Sequence, residues 1–597
     1  MKNVMYIFRN VNCWIFFSLS GEKKEPKDYI KLIAVLLNCA FKSEHKNIFK
    51  CRLKLAIPII DIFAGPGGLG EGFSSIFDEY GKRYFKISLS IEKDFYAHQT
   101  LTLRSFYRQF NPKQIPLEYY KFLKGELSLE ELYNHWPKQA SVAKQEAWLA
   151  TLGDGKNATS DELVDKRIKE SLKGATQWLL IGGPPCQAYS VVGRNRRKEL
   201  FLDESKDERV GLYKQYLRIL AVHNPSVFVM ENVKGLLSAE TKESPVFSKI
   251  LKDLADPIAA CGLENQNQTQ LICPGYKIYS LVVEPDFDKN GNPILQQKDY
   301  VIHAEKFGIP QTRHRVILLG IRHDIDFVPR ILEKVKEVPI SKVLSDLPRL
   351  RGGLSKIEDS DIAWKDTVNE ILSKLPANST DKKVRQVILN QLSKIRIPRL
   401  SKGAEYISYK KIKSEYRPDW FNDPNLEGVC NHSARGHMES DLHRYFYIAC
   451  FAHVYGFSPN LDQLPTKLLP THKNVFKKDG NVTGKFPDRF RVQLNSRPAK
   501  TITSHISQDG HYYIHYDPKQ CRSLTVREAA RIQTFPDNYF FCGPRTHQFI
   551  QVGNAVPPIL ANNIAQVVIE IFNAIADPNL NVRLIEESNA LAAVEAI

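Results

Sequence analysis

A doubly wound α/β fold with a mostly parallel sheet is predicted for this chain. Three observations predict it, each a short apolar run that ends in a distinctive turn. Ile57-Pro58-Ile59-Ile60-Asp61-Ile62-Phe63 enters a glycine-rich segment, Trp178-Leu179-Leu180-Ile181 enters Gly182-Gly183-Pro184-Pro185-Cys186, and Val227-Phe228-Val229-Met230 enters Glu231-Asn232-Val233. Continuous apolar runs of this kind mark strands covered by helices on both faces. Open α/β sheets place their chemistry beyond the carboxyl ends of such strands.

The totals set the frame. A chain of 597 residues exceeds what one core usually holds, so two or more domains are expected. The net charge of +17 favours a polyanionic partner. Ten cysteines with no Cys-x-x-Cys pair argue against a zinc ribbon and fit reduced thiols in the cytoplasm. No apolar run is expected to span a bilayer. Residues 1–55 read as an N-terminal extension. Lys2 and Arg9 flank a leader-like Cys13-Trp14-Ile15-Phe16-Phe17, but that core is short and no small-residue cleavage site follows it.

Taken in order, the first strand opens into Ala64-Gly65-Pro66-Gly67-Gly68-Leu69-Gly70, where Gly65, Gly67 and Gly70 fit G-x-G-x-x-G. A second strand over 86–91 ends in Glu92, where an acid can bind ribose hydroxyls, so a nucleoside cofactor is predicted. The pattern leaves NAD and S-adenosylmethionine both open, and a plain strand–helix turn is the simpler alternative. A polar helical insertion follows over 105–150. Leu152-Gly153-Asp154 then reads as a strand end with an acid, or simply as a turn.

In the second run the two prolines stiffen the backbone directly before Cys186. A thiol there suits a nucleophile; a buried structural cysteine is the alternative. Arg194, Arg196, Arg197 and Lys198 follow in a charged loop suited to phosphates. A helix over 212–223 leads to the third run. There Glu231 stands just past the strand, where burial can raise its pKa and let it donate a proton. Strands are predicted over 277–283 and 316–319. Between them Arg313 and Arg315 should share one side of an extended segment, aimed inward as a cation pair or outward as surface charges.

Together these blocks resemble the DNA (cytosine-5)-methyltransferases of bacterial restriction–modification type. The ordered set is Asp61 to Gly68, Gly183-Pro184-Pro185-Cys186-Gln187, Glu231-Asn232-Val233, Gln311-Thr312-Arg313-His314-Arg315, then Arg522-Ser523-Leu524-Thr525 onward to Pro536, and Gln551-Val552-Gly553-Asn554-Ala555-Val556. The resemblance implies a Rossmann-like catalytic domain in two parts, 56–338 and 501–580, a target recognition domain over 339–500, and a tail over 581–597.

It further implies S-adenosyl-L-methionine as cofactor, held by Phe63, Ala64, Gly65, Gly67, Gly68, Leu69, Glu92, Asp154, Pro184, Asn554 and Val556. Cys186 would add to cytosine C6, Glu231 would bond N3 and the exocyclic amine, and Arg315 would hold O2 with Arg313 in support. Double-stranded DNA would be the substrate, read by base flipping, and a cognate endonuclease the functional counterpart in a nucleoid-associated, cytoplasmic setting. A tRNA cytosine methyltransferase is the nearest alternative, and a NAD-dependent oxidoreductase the alternative of another class.

In the middle region Lys394, Arg396, Arg399, Lys402, Lys410, Lys411 and Lys413 suit phosphate contacts. The spacing of Cys430, His432, His437 and His443 fits no standard zinc site, so no metal is expected. Residues 522–536 read as a helix of structural purpose. Residues 564–575 read as a helix packed beside the first strand–helix unit.

Overall fold

The computed structural model describes residues 56–577 except 154, 156, 186–207, 239–245, 264–272, 376–379, 397–399, 412, 471–486 and 509. Cys186, Asp154, Arg399, the extension 1–55, the tail 581–597 and most of the basic loop after Cys186 lie outside the described residues.

Strands β1 (Ile57–Ile62), β2 (Phe85–Glu92), β3 (Ala147–Leu149), β4 (Leu179–Gly182), β5 (Val227–Val233), β6 (Tyr276–Tyr279), β7 (Val301–His303) and β8 (His314–Arg322) form one eight-stranded sheet. Its order is β3-β2-β1-β4-β5-β8-β6, with β7 also on β8. From β3 to β5 every pairing is parallel, and β8 runs against β5, β6 and β7. The predicted fold class therefore holds, with one reversed strand.

Helices α1 (Gly68–Ser74), α2 (Phe95–Arg108), α3 (Leu117–Leu123), α4 (Leu129–His135), α5 (Pro137–Glu146), α6 (Asp161–Leu172), α7 (Glu208–His223) and α8 (Val246–Ala255) follow the strands. On one face Val164 and Ile168 of α6, Tyr216 and Leu220 of α7, and Phe247 and Ile250 of α8 share a core with Ile60, Leu180, Phe228 and Leu318. The register slips between Ile59 and Ile60, which pair with Ile87 and Leu89, so β2 presents apolar residues to both layers.

The middle of the chain has its own core. Helices α9 (Asp361–Asn369), α10 (Lys382–Leu392) and α11 (Glu439–Tyr455) bury Trp364, Val368, Ile388, Tyr445 and Ile448 together with Phe490, Ile514 and Cys521. A hairpin of β9 (Gly403–Ser408) and β10 (Gly428–Ser433) packs on the helical insertion, where Cys430 and Leu426 meet Tyr120 and Leu123. The insertion is thus less solvated than its polar sequence suggests: its buried aromatic residues support the hairpin.

Helices α12 (Val526–Ile532), α13 (Arg545–Asn554) and α14 (Pro558–Ala576) are the last of the described elements. Only the middle of 522–536, Val526–Ile532, is helical, because the Thr525 side chain and Glu528 form a reciprocal N-terminal cap that starts the helix there. α13 and α14 together are long and apolar enough to cross a bilayer, contrary to the expectation from sequence. In the fold, however, Ile564, Val567, Val568 and Ile571 are fully buried, the signature of a core helix. Phe572 reaches Phe85 of β2 edge-on, with ring centroids 6.5 Å apart, so α14 lies beside the first strand–helix unit as predicted.

Candidate active site

The glycine turn is shaped by backbone geometry. Phe63 has φ of 55°, followed by Gly65 at 57° and Gly67 at 92°. Positive φ is strained for a phenylalanine, and such strain persists only where the surroundings impose it. Ala64 N–H donates to Ile91 O at 3.1 Å, which locks the turn to β2. Glu92 closes it from the end of β2. Its Oε2 accepts the Gly65 N–H at 2.8 Å, and its Oε1 accepts Lys93 N–H at 2.9 Å and Asp94 N–H at 2.7 Å. Burial raises its pKa despite these donors. Each carboxylate oxygen can accept more than one hydrogen bond, so capacity remains for a ligand hydroxyl.

The C-terminal block reaches the same turn. A Cβ on Gly68 would stand 2.2 Å from the Val556 carbonyl oxygen, so only glycine allows the approach. Gly72 is equally constrained, 2.4 Å from Ala561 Cβ and Pro558 O. The Tyr539 hydroxyl donates to Pro66 O. Leu69 is buried, and Asn554 is exposed at the end of α13 two residues before Val556.

Beside it lies the polar rim of β5 and β8. Strand β5 runs to Val233, so Glu231 stands inside the strand, not past its end. Arg315 pairs with Val233 and Ile317 with Glu231, which makes Glu231 and Arg315 diagonal neighbours on one face. Arg315 Nε lies 2.9 Å from Glu231 Oε1. The two side chains form a largely buried ion pair. Arg315 is held further by a bond from its Nη1 to His314 O at 2.9 Å. The loop toward Cys186 passes this pair. A Cβ on Gly183 would lie 3.0 Å from Glu231 Oε2, and Asn232 Nδ2 donates to the buried Pro184 at its carbonyl oxygen, 3.3 Å away.

Arg313 differs from expectation. Its N–H bonds Gln311 O at 2.9 Å, a tight turn that breaks the extended alternation between Arg313 and Arg315. Its guanidinium is buried and donates to Ile502 O at 2.6 Å and Gly553 O at 3.3 Å. Burial and the neighbouring Arg315 push its pKa down. Arg313 is a clamp between the two halves of the motif set and is not placed to touch a base beside Arg315.

Gln311 works with it, accepting Ile502 N–H at 3.0 Å and donating to Gln533 Oε1 at 2.5 Å, while Gln533 donates to Val552 O at 2.7 Å. Sequence reading missed Gln311, Gln533 and Asn232 as positioning residues. Their only signal was membership of the recurrent blocks.

Cys430, His432, His437 and His443 do not converge. His432 bonds Thr525 Oγ1 and Pro348 O, and His443 bonds Thr367 O, each within 2.9 Å. Of the basic residues in the middle region, Lys402 pairs with Asp359 at 3.0 Å and Lys410 approaches Glu427 at 3.9 Å. Lys394, Arg396, Lys411 and Lys413 are exposed.

The sequence model of the C-5 cytosine-specific DNA methylases matches residues 149–257 and 295–570. The chain belongs to that family. A type II methyltransferase of Bacillus paralicheniformis, M.Bpa9945I, is 34% identical over 86% of this chain and 99% of that relative. M.DdeI, a type II methyltransferase of Desulfomicrobium norvegicum, is 25% identical over 89% of this chain and 94% of that relative. M.ApeKI of Aeropyrum pernix, a DNA (cytosine-5-)-methyltransferase, is 24% identical over 68% of this chain and 83% of that relative.

The protein is accordingly a DNA cytosine-5 methyltransferase using S-adenosyl-L-methionine, and the oxidoreductase alternative is excluded. The turn fits that cofactor: a narrow glycine approach at Gly68, open space beside Gly65, and a half-buried carboxylate at Glu92 able to accept hydroxyls.

Proposed function

We propose that this protein is the modification methyltransferase of a type II restriction–modification system, acting on cytosine within a specific double-stranded DNA site. It would act in the cytoplasm at the nucleoid, with a cognate endonuclease cutting the same unmodified site. Similarity to relatives named type II methyltransferases over nearly their whole length supports this.

The observation that carries the mechanism is the Glu231–Arg315 pair, 2.9 Å apart, beside the Gly183 backbone that leads to Cys186. Cys186, as thiolate, adds to C6 of an extruded cytosine. Glu231 bonds N3 and the exocyclic amine and shares a proton with the ring as that bond forms. Arg315 holds O2. C5 thereby becomes nucleophilic, and bound S-adenosylmethionine supplies the electrophilic methyl group. Loss of the C5 proton to a base then expels Cys186 and restores the ring. Phe63, Ala64, Gly65, Gly67, Gly68, Leu69, Glu92, Asp154, Pro184, Asn554 and Val556 hold the cofactor, and Arg313 positions the strand that carries Arg315.

Residues 339–500 act as the target recognition domain, with Lys394, Arg396, Lys411 and Lys413 on the phosphates.

The test is transfer of tritiated methyl from S-adenosylmethionine to mixed DNA and, separately, to tRNA, with Cys186→Ser as control. Label is expected in DNA and absent with the variant. Labelling of tRNA alone would overturn the substrate. Bisulfite sequencing of the product reads the target site.

A further inference from the structure

Next to the catalytic pair, three donor side chains converge with no part in the methyl-transfer chemistry. His303 of β7 and His314 of β8 are a cross-strand pair. Their imidazoles face each other with centroids 3.9 Å apart. Glu305, two residues after His303, turns back beneath them. Its Oε1 lies 2.9 Å from His314 Nε2 and 3.7 Å from His303 Nδ1. One donor atom from each residue falls within 4.8 Å of the others.

Hydrogen bonding alone leaves this cluster incomplete. Glu305 is only 6% exposed, and its Oε2 is buried with no hydrogen-bond partner. A buried carboxylate oxygen without a partner is costly, and coordination to a cation is one way to satisfy it. Both imidazoles remain partly exposed, which gives an entry path.

We propose that His303, Glu305 and His314 form a binding site for a borderline divalent transition-metal ion of the zinc, cobalt or nickel class, which staples β7 to β8 beside Arg315. Two imidazoles and one carboxylate are a donor set for these ions, whereas magnesium and calcium prefer all-oxygen shells. Tetrahedral binding at about 2.0–2.2 Å from each donor needs only small side-chain shifts from the present spacing. Because Arg315 bonds the His314 carbonyl, the ion would stiffen the segment that positions the base-contacting arginine. Sequence spacing gave no hint of the site, since its donors meet only through the β7–β8 register.

The test uses untagged full-length protein stripped with a chelator. Cobalt(II) is titrated while its visible ligand-field absorption is followed, and zinc binding is measured by calorimetry. One equivalent is expected to bind with micromolar or tighter affinity and without the near-ultraviolet thiolate-to-cobalt band. His303→Ala, His314→Ala and Glu305→Gln should each weaken binding at least tenfold, and the metal should raise the melting temperature of the wild type only. A wild-type protein with no stoichiometric site overturns the proposal. So does a cobalt spectrum dominated by thiolate, or binding that persists unchanged in the variants. Should a variant fail to fold, the wild-type titration and spectrum decide alone.

Discussion

Arg315 Nε sits 2.9 Å from Glu231 Oε1 because two antiparallel strands set their carriers one diagonal step apart. The pair depends on register, so each member should matter by position as well as charge. Glu231→Gln should lower kcat by about 10²–10⁴-fold, the usual range for losing a proton-transferring group, with cofactor binding unchanged by calorimetry. Arg315→Lys keeps the charge but not the planar fork, and single-turnover methyl transfer should fall with it.

The approach of Val556 O to Gly68 predicts a different failure. Gly68→Ala forces the carbonyl and the first helix apart, at a cost of about 1–3 kcal/mol as in other overpacked sites. Thermal unfolding should show the loss, and S-adenosylmethionine binding should weaken, because the displaced segment forms the turn. Gly65→Ala meets no such obstacle within 4 Å, but its φ of 57° would still be strained.

Arg313 is expected to act on stability before chemistry. Arg313→Met leaves the buried carbonyls of Ile502 and Gly553 without this donor, worth about 1–3 kcal/mol each when left unpaired. Urea unfolding should report the loss. The companion variant Gln311→Leu should behave alike, since it faces the same junction.

Acid should destabilise the fold through two buried imidazoles. Burial, above all, holds His432 and His515 at about 4, with Arg522 acting in the same direction and Glu528 against it. A histidine with a depressed folded-state pKa contributes stability above the unfolded value of about 6.5. That stability is lost as pH falls from about 6.5 toward 4. The slope is about 1.4 kcal/mol per pH unit for each group. Unfolding by urea across this window should show it, and His515→Gln should flatten the slope.

Much of the sheet was legible in sequence, because β1, β4 and β5 are buried on both faces and consist mostly of apolar residues. The site was legible where local chain geometry makes it, as in the glycine turn and Glu92. What was not legible depended on contacts remote in sequence. The turn at Gln311–Arg313 could not be seen in the alternation rule that placed Arg313 beside Arg315. The buried role of the insertion came from Tyr120 and Leu123, whose partners lie some 300 residues away. The His303–Glu305–His314 cluster exists only once β7 pairs with β8.

The most direct test of the account is a covalent trap. DNA carrying 5-fluorocytosine at the target site cannot lose its C5 substituent as a proton, so the enzyme should remain bonded to it after methyl transfer. Peptide mapping by mass spectrometry should then place the adduct on Cys186, with Cys186→Ser forming none. An adduct mapped to any other side chain, or methyl transfer undiminished in Cys186→Ser, would contradict it.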